Sequence, residues 1–319
     1  MTESSTQIRP SSARRLLNAG LSLYRHTLKR VGPLHRVIHW LMSHSVIPAL
    51  ERSQGFTTMS DDPLWFRLEL LTGRHEHETT QQIRRIVQPG MTVLDVGAHV
   101  GYYTRLFAGL VGPGGRVIAF EPHPRNYRML QRNIAGRSSV IALNYACAEG
   151  EGSAELHDYL MMSASGSLHY DEHLLEVQRA QMSDADYAPR LATGHEAEKF
   201  TVRTVAMDEA LADLGIERID CIKMDIEGAE IGALRGLRQT IARSPRLALV
   251  MEYNPLGLRA FGHDPLAALE EVRALGFSRL QTLESDGSLR DLTDDKAALQ
   301  ALTEHMGVIN LLLTRGDPI

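Results

Sequence analysis

Two stretches of the chain combine charge and glycine in ways that invite chemistry. The first is VLDVGAHVGYYT, Val93 to Thr104, where an apolar run meets Asp95 and then Gly97 and Gly101. A strand that feeds a helix through such a turn exposes backbone N–H groups, and nucleotide cofactors bind there. The spacing is not the G-x-G-x-x-G of dinucleotide sites, although Glu121, at the end of the next apolar run, would suit a ribose in either case. Asp95 discriminates between the two. A carboxylate at the strand tip would repel a pyrophosphate seated at the adjacent helix N-terminus, whereas it favours a ligand with positive charge. S-adenosylmethionine, with an ammonium, a sulfonium and no phosphate, is such a ligand. The structural alternative for Asp95 is a helix cap or turn residue.

The second stretch is KMDIEGAE, which places Lys223, Asp225, Glu227 and Glu230 at a strand end and a helix start. Alternation sends Lys223 and Asp225 to one face and Met224 to the other. Asp225 then stands at the carboxyl end of the strand, where a reacting group would be presented. A hydroxyl is a poor nucleophile, so a neighbouring group must take its proton as a new bond forms. Asp225 is the first candidate for that base, or for orienting an acceptor, and Glu252 in MEYNP is the second. Lys223 pairs with one of these carboxylates, Glu227 supports them, and Glu230 reads as a capping residue. Asp225, Glu252 and Asn254 could also converge on Mg²⁺; the reading without a metal is preferred. His75 and His77 in RHEHE lack further ligands at metal spacing and read as a solvated stretch.

The elements that position these residues follow from period. TVLDV, RVIAF, VIALNYA, IDCIKMD, RLALVMEY, RLQTL and VINLLLT read as strands, with helices over 101–111, 124–135, 228–243 and 265–275. Strands alternating with helices predict a doubly wound, mostly parallel α/β sheet whose ligands sit beyond the carboxyl ends of the strands. No strongly periodic helix separates the last two strands, so the final strand is expected to run antiparallel. Residues 158–198 break the alternation and read as a lid or substrate insert.

At this point the chain resembles the FkbM family of S-adenosylmethionine-dependent methyltransferases. The resemblance is carried by VLDVGAHVGYYT, GRVIAFEPHPRNYRMLQRNI, ALNYACAEGEGSAEL and IDCIKMDIEGAEIGALRGL, and spans roughly residues 75–255. It implies a Rossmann-like methyltransferase sheet, with Gly97, Ala98 and Gly101 letting the backbone approach the methionine moiety and Asp95 fixing the loop and facing positive charge. It further implies that Glu121 takes the ribose hydroxyls, that Pro122 and Asn126 belong to the same turn, and that Ala146 and Cys147 flank the adenine. His99 stands where many related enzymes have a third glycine. It is expected to point outward, with a role near the substrate left open.

Bulk properties set the remaining bounds. Of 319 residues, 43% are hydrophobic and 23% charged, ordinary for a globular protein. No apolar run approaches the ~18 residues of a membrane span. The N-terminus lacks signal-peptide character, and two cysteines, Cys147 and Cys221, suit a reducing compartment, so the expected location is cytoplasmic. Residues 1–60 carry eight Lys/Arg and two acids, a net of +6, so the remainder carries −11 of the total −5. An acidic body argues against nucleic acid as a partner. Residues 1–60 read as a helical extension, with an apolar stripe at Leu17, Leu21, Tyr24, Leu28 and Val31. A basic face and Trp40 leave peripheral membrane contact through 14–50 open.

The expected function is methyl transfer from S-adenosylmethionine to a hydroxyl of a sugar or secondary metabolite by residues 61–319. The O-methyl preference comes from the family resemblance. The rivals are N-methylation of an amine, a non-catalytic binder of the same cofactor, and an NAD(P)-dependent reductase.

Overall fold

The computed structural model describes residues 32–159, 163–164, 166–169, 198–305 and 307–316. The apolar stripe expected over 14–31, and most of the insert, lie outside the described residues. The chain divides into two compact units, Met1–Gln54 and Gly55–Ile319. In the first, α1 (Gly32–Leu41) runs through a π-helical turn at Met42–Val46 into α2 (Ile47–Gln54). His44 Nδ1 lies 2.9 Å from the Trp40 carbonyl, and the two rings stack.

The second unit opens with α3 (Leu64–Thr72) and α4 (His77–Ile86), neither of which the sequence periodicity singled out. The alternation then follows: β1 (Thr92–Val96), α5 (Tyr102–Val111), β2 (Arg116–Phe120), α6 (Pro124–Asn133) and β3 (Val140–Leu143). After β4 to β7 come α7 (Met207–Asp213), β8 (Cys221–Met224), α8 (Glu230–Arg235), α9 (Arg238–Arg243) and β9 (Leu247–Tyr253). The chain closes with α10 (Pro255–Ala260), α11 (Pro265–Ala274), β10 (Arg279–Leu283), β11 (Leu289–Asp291), α12 (Lys296–Thr303) and β12 (Ile309–Arg315).

Eight strands form one sheet in the order β11-β10-β12-β9-β8-β1-β2-β3. Strands β3, β2, β1, β8 and β9 are parallel, and β12 inserts antiparallel between β9 and β10, the direction expected, although α12 does separate it from the strands before it. Parallel strands bury both faces, so their side chains divide by parity. Leu94, Val96, Ile118, Phe120, Ile222 and Met224 enter one core with α7, α8 and α11. Val93, Val117, Cys221 and Val250 enter the other with α4 and α5. The order in which the chain lays down its strands reverses between β1 and β8, and the crevice at that point is where this architecture binds ligands.

Two expectations are corrected. The single helix over 228–243 is two helices, because Gly236 lies so close to β4 that a Cβ would meet the Ala148 carbonyl oxygen at 2.1 Å. VIALNYA is likewise divided. Asn144 turns its amide to the Glu121 and Pro122 carbonyls, at 2.7 and 3.0 Å, and ends β3. The chain then starts a second sheet of β4 (Ala146–Ala148), β5 (Gly152–Asp158), β6 (Gly166–Ser167) and β7 (Glu198–Ala206), in the order β4-β7-β5-β6. Among the described residues no helix is long and apolar enough to cross a membrane.

Candidate active site

The glycine loop after β1 is shaped by what lies behind it. Gly97, at φ 83°, is pressed on the next strand's exit: a Cβ there would meet the Asp225 carbonyl oxygen at 1.9 Å. Gly101, at φ 92°, faces Leu130 of α6, 2.8 Å from such a Cβ. The N–H groups of Gly97 and Ala98 donate to the Phe120 carbonyl at 3.0 and 2.9 Å, which ties the loop to β2. The Ala98 methyl packs with Ala119 and Leu130 behind the loop.

Asp95 is fully buried and absent from the cleft wall. Its Oδ2 accepts from the Thr104 hydroxyl, which fastens β1 to α5, and its Oδ1 is buried without a partner. The positive charge near it is Lys223, its register neighbour on β8. Side-chain parity turns Asp95 under the loop, beside Lys223 and behind the residues that line the cleft. Burial raises its carboxyl to about 6, with Lys223 opposing.

A cleft of about 690 Å³, measured to its open mouth, lies beyond the strand ends. Gly97, His99, Glu121, Pro122, Asn126, Ala146, Cys147 and Asp225 all line it. Glu121 is 5% exposed, and each carboxylate oxygen receives one backbone N–H at 2.8 Å, Oε2 from His99 and Oε1 from His123. Burial raises its pKa to about 7 against the pull of those bonds. His99 does not point outward. At φ 51° its ring turns onto the cleft wall and stands 2.5 Å from the Ser163 hydroxyl through Nε2. Burial, and then the charge of His75, push its pKa down to about 3, so the ring is neutral. His123 caps α6 through Nδ1 and meets Asp158 through Nε2 at 3.2 Å, both side chains buried.

On the opposite wall, Lys223 and Asp225 share a face as alternation requires, and their Nζ–Oδ2 contact is 2.7 Å. Burial opposes both charges. It is outweighed in each case by the partner, so Lys223 is raised and Asp225 lowered. The Lys223 ammonium also lies 4.8 Å from the centre of the Tyr103 ring, whose hydroxyl donates to Glu76 at 3.0 Å. Glu252 shares a hydrogen bond with Asp225 and is raised well above the carboxylate range by burial and then by Asp225. Its Oε1 is buried without a partner. Glu227, at φ 55°, is raised to about 8 by burial and then by Asp225. Glu230 does not cap α8, which has no side-chain cap; it accepts from the N–H groups of Ile226 and Gly228 at 3.1 and 3.3 Å and ties down the turn before the helix.

Oxygens of Asp225, Glu227 and Glu252 lie within 4.8 Å of one another. Asn254, considered as a Mg²⁺ ligand, caps α10, its Oδ1 accepting from Gly257 N–H at 3.0 Å. Glu227 joins Asp225 and Glu252 in the cluster, and Lys223 supplies a cation on Asp225.

Comparison with known proteins agrees with this geometry. The model of the methyltransferase FkbM domain matches residues 95–279. The chain belongs to the FkbM methyltransferase family. Among its relatives, the 31-O-demethyl-FK506 methyltransferase FkbM of Streptomyces tacrolimicus is 31% identical over 204 residues, 59% of this chain and 72% of that protein. The methyltransferase sdnD of Sordaria araneosa is 27% identical over 177 residues, 52% of this chain and 68% of that protein. The 2-O-methyltransferase NoeI of Sinorhizobium fredii is 25% identical over 171 residues, and the match spans 51% of this chain and 64% of that protein. The solved SAM-dependent O-methyltransferase from Thermotoga maritima aligns at a TM-score of 0.40 and 13% identity, covering 76% of this chain and 65% of that one. As an FkbM-family enzyme, this chain is an S-adenosylmethionine-dependent methyltransferase.

Within this FkbM domain the motif residues meet around one crevice, but the sequence missed part of its wall. His75, read as solvated, packs edge-on against Phe66 and Tyr102, with ring centres at 5.5 and 5.3 Å. Burial lowers its pKa against the pull of Glu76. His77 is exposed, as expected. Asp62 and Ser163 reach His99 from distant segments, and no sequence signal marks them.

Proposed function

We propose that this methyltransferase methylates a hydroxyl oxygen on a sugar or secondary metabolite. The observation that carries the reading is Asp225 on the cleft wall, paired with Lys223 at 2.7 Å and beside Glu252, whose carboxyl is pushed up by burial and then by Asp225. Glu121 would take the ribose hydroxyls, the Gly97 loop the methionine moiety, the turn of Pro122 and Asn126 would close over the ribose, and Ala146 and Cys147 would flank the adenine. When bound, S-adenosylmethionine supplies a methyl carbon on a sulfonium, open to in-line displacement. Asp225 orients the acceptor hydroxyl and receives its proton. The acceptor oxygen becomes strongly acidic as its bond to carbon forms, so a carboxylate of low pKa suffices late in that step. Lys223 keeps Asp225 acceptor-only until then. The walls hold acceptor and methyl in line and exclude water. The names of two relatives, a 31-O-demethyl-FK506 methyltransferase and a 2-O-methyltransferase, support oxygen as the acceptor atom.

The test is transfer of an isotopically labelled methyl group to panels of glycans, polyols and amines, with the methylated atom located by mass spectrometry. O-methyl products are expected. Exclusive N-methylation overturns the oxygen assignment, and cofactor binding without any transfer favours a non-catalytic binder.

A further inference from the structure

Three side chains that no motif connects meet on the cofactor cleft. Asp62 precedes α3, Ser163 lies between β5 and β6, and His99 is the left-handed residue of the glycine loop. Asp62 is 4% and Ser163 3% exposed. Ser163 donates through its backbone N–H to Asp62 Oδ1 at 2.7 Å and through its hydroxyl to Oδ2 at 2.6 Å. Its carbonyl accepts from Asn126 Nδ2 at 2.8 Å, and His99 Nε2 lies 2.5 Å from its Oγ.

Counting protons fixes the tautomer. With Asp62 ionised, as two N–H or O–H donors on its oxygens favour, the carboxylate only accepts, and the single Ser163 hydroxyl proton goes to it. Ser163 Oγ can then only accept from the ring, which requires the proton on Nε2. A neutral imidazole has a single N–H, so Nδ1 carries a bare lone pair. His99 lines the cleft. The ring is neutral in this environment. The backbone N–H of the same residue is spent on Glu121.

We propose that Asp62 and Ser163 are positioning residues of the cofactor site, which hold His99 as the Nε2–H tautomer so that Nδ1 accepts a hydrogen bond from the cofactor's ammonium group. This rests on the cleft assignment made above. The choice of group follows by elimination and by charge. On that assignment the ribose hydroxyls go to Glu121 and the adenine to Ala146 and Cys147, which leaves the ammonium as the remaining donor beside the glycine loop. The opposite tautomer, or a charged ring, would aim an N–H at a cation. A left-handed backbone is strained for a residue with a Cβ, and a side chain required at this position accounts for a histidine there.

The experiment has two arms on the full chain. Ring-¹⁵N-labelled histidine, with the His99 signals assigned by their loss in His99→Asn, reports the tautomer by NMR without any ligand. A protonated Nε2 and a bare Nδ1 are expected, and a proton on Nδ1 overturns the proposal. Calorimetry then compares S-adenosylhomocysteine with 5′-methylthioadenosine, which lacks the ammonium. Ser163→Ala and Asp62→Asn should each weaken the first five- to tenfold and leave the second within twofold, and Ser163→Thr, which keeps the hydroxyl, should restore it. Equal losses for both ligands, or no loss, overturn the proposal. A wild-type protein that binds neither ligand fails on the cleft assignment, whereas one that binds both but is unmoved by Ser163→Ala fails on the relay.

Discussion

Glu121 and Glu252 are both sequestered carboxyls at the ends of parallel-sheet strands, yet their surroundings differ in kind. Glu121 receives a backbone N–H on each oxygen. Glu252 leans on Asp225 and keeps Oε1 without a partner, and Glu230 beside it keeps Oε2 in the same state. On the β2 side the Glu121 carboxylate has its donors in place before any ligand arrives, while Asn126 Oδ1 beside it is buried without a partner. The β8–β9 side holds more carboxyls than donors. Asp225 is ionised there through Lys223, while Glu227 and Glu252 are raised by burial and then by repulsion from Asp225. Polar groups left in that state are costly and are kept where chemistry uses them. Backbone strain follows the same border: the described non-glycine residues with positive φ are Glu76, His99 and Glu227, all at or beside this crevice.

If the two sides divide binding from chemistry, Asp225→Asn should lower turnover by about 10² to 10⁴ and leave S-adenosylhomocysteine affinity within a few-fold, measured by initial rates and calorimetry. Comparable turnover in the variant would dissolve the division. Lys223→Met removes the cation that keeps Asp225 ionised. The neutral form is then favoured, so the acidic limb of the kcat/KM profile should move upward by about 1–3 pH units; an unmoved limb would take Asp225 out of the titration. Glu121→Ala strikes only the β2 side. It should weaken S-adenosylhomocysteine at least tenfold, about 1.4 kcal/mol, with binding unchanged refuting the ribose contact.

The smallest effect is on stability. His99 takes a proton near its ordinary 6.5 when unfolded and only near 3 when folded. Between those values the unfolded chain binds one more proton, so stability falls as pH falls below about 6.5, by roughly 1.4 kcal/mol per pH unit. In denaturant unfolding at pH 6 and pH 5, His99→Asn should lose less stability than the wild type by about that amount. Equal slopes would place His99 in contact with solvent.

What the sequence determined by itself was whatever depends on neighbours along the chain. Strand and helix periods located the parallel strands and the final antiparallel one, because burial on both faces demands continuous apolar runs. Alternation put Lys223 and Asp225 on one face. The glycines of VLDVGAHVGYYT, Glu121 and KMDIEGAE were enough to point to the family. Tertiary structure alone decided where side chains went once segments far apart in sequence met. It buried Asp95 under the loop beside Lys223, split one helix at Gly236 against Ala148, and drew His75 into the wall. It also turned His99 inward to Ser163 and Asp62, 64 and 37 positions away along the chain (163 − 99 and 99 − 62). Hydrogen bonds of that span leave no local period or spacing, since either partner could sit on any loop that the fold brings near.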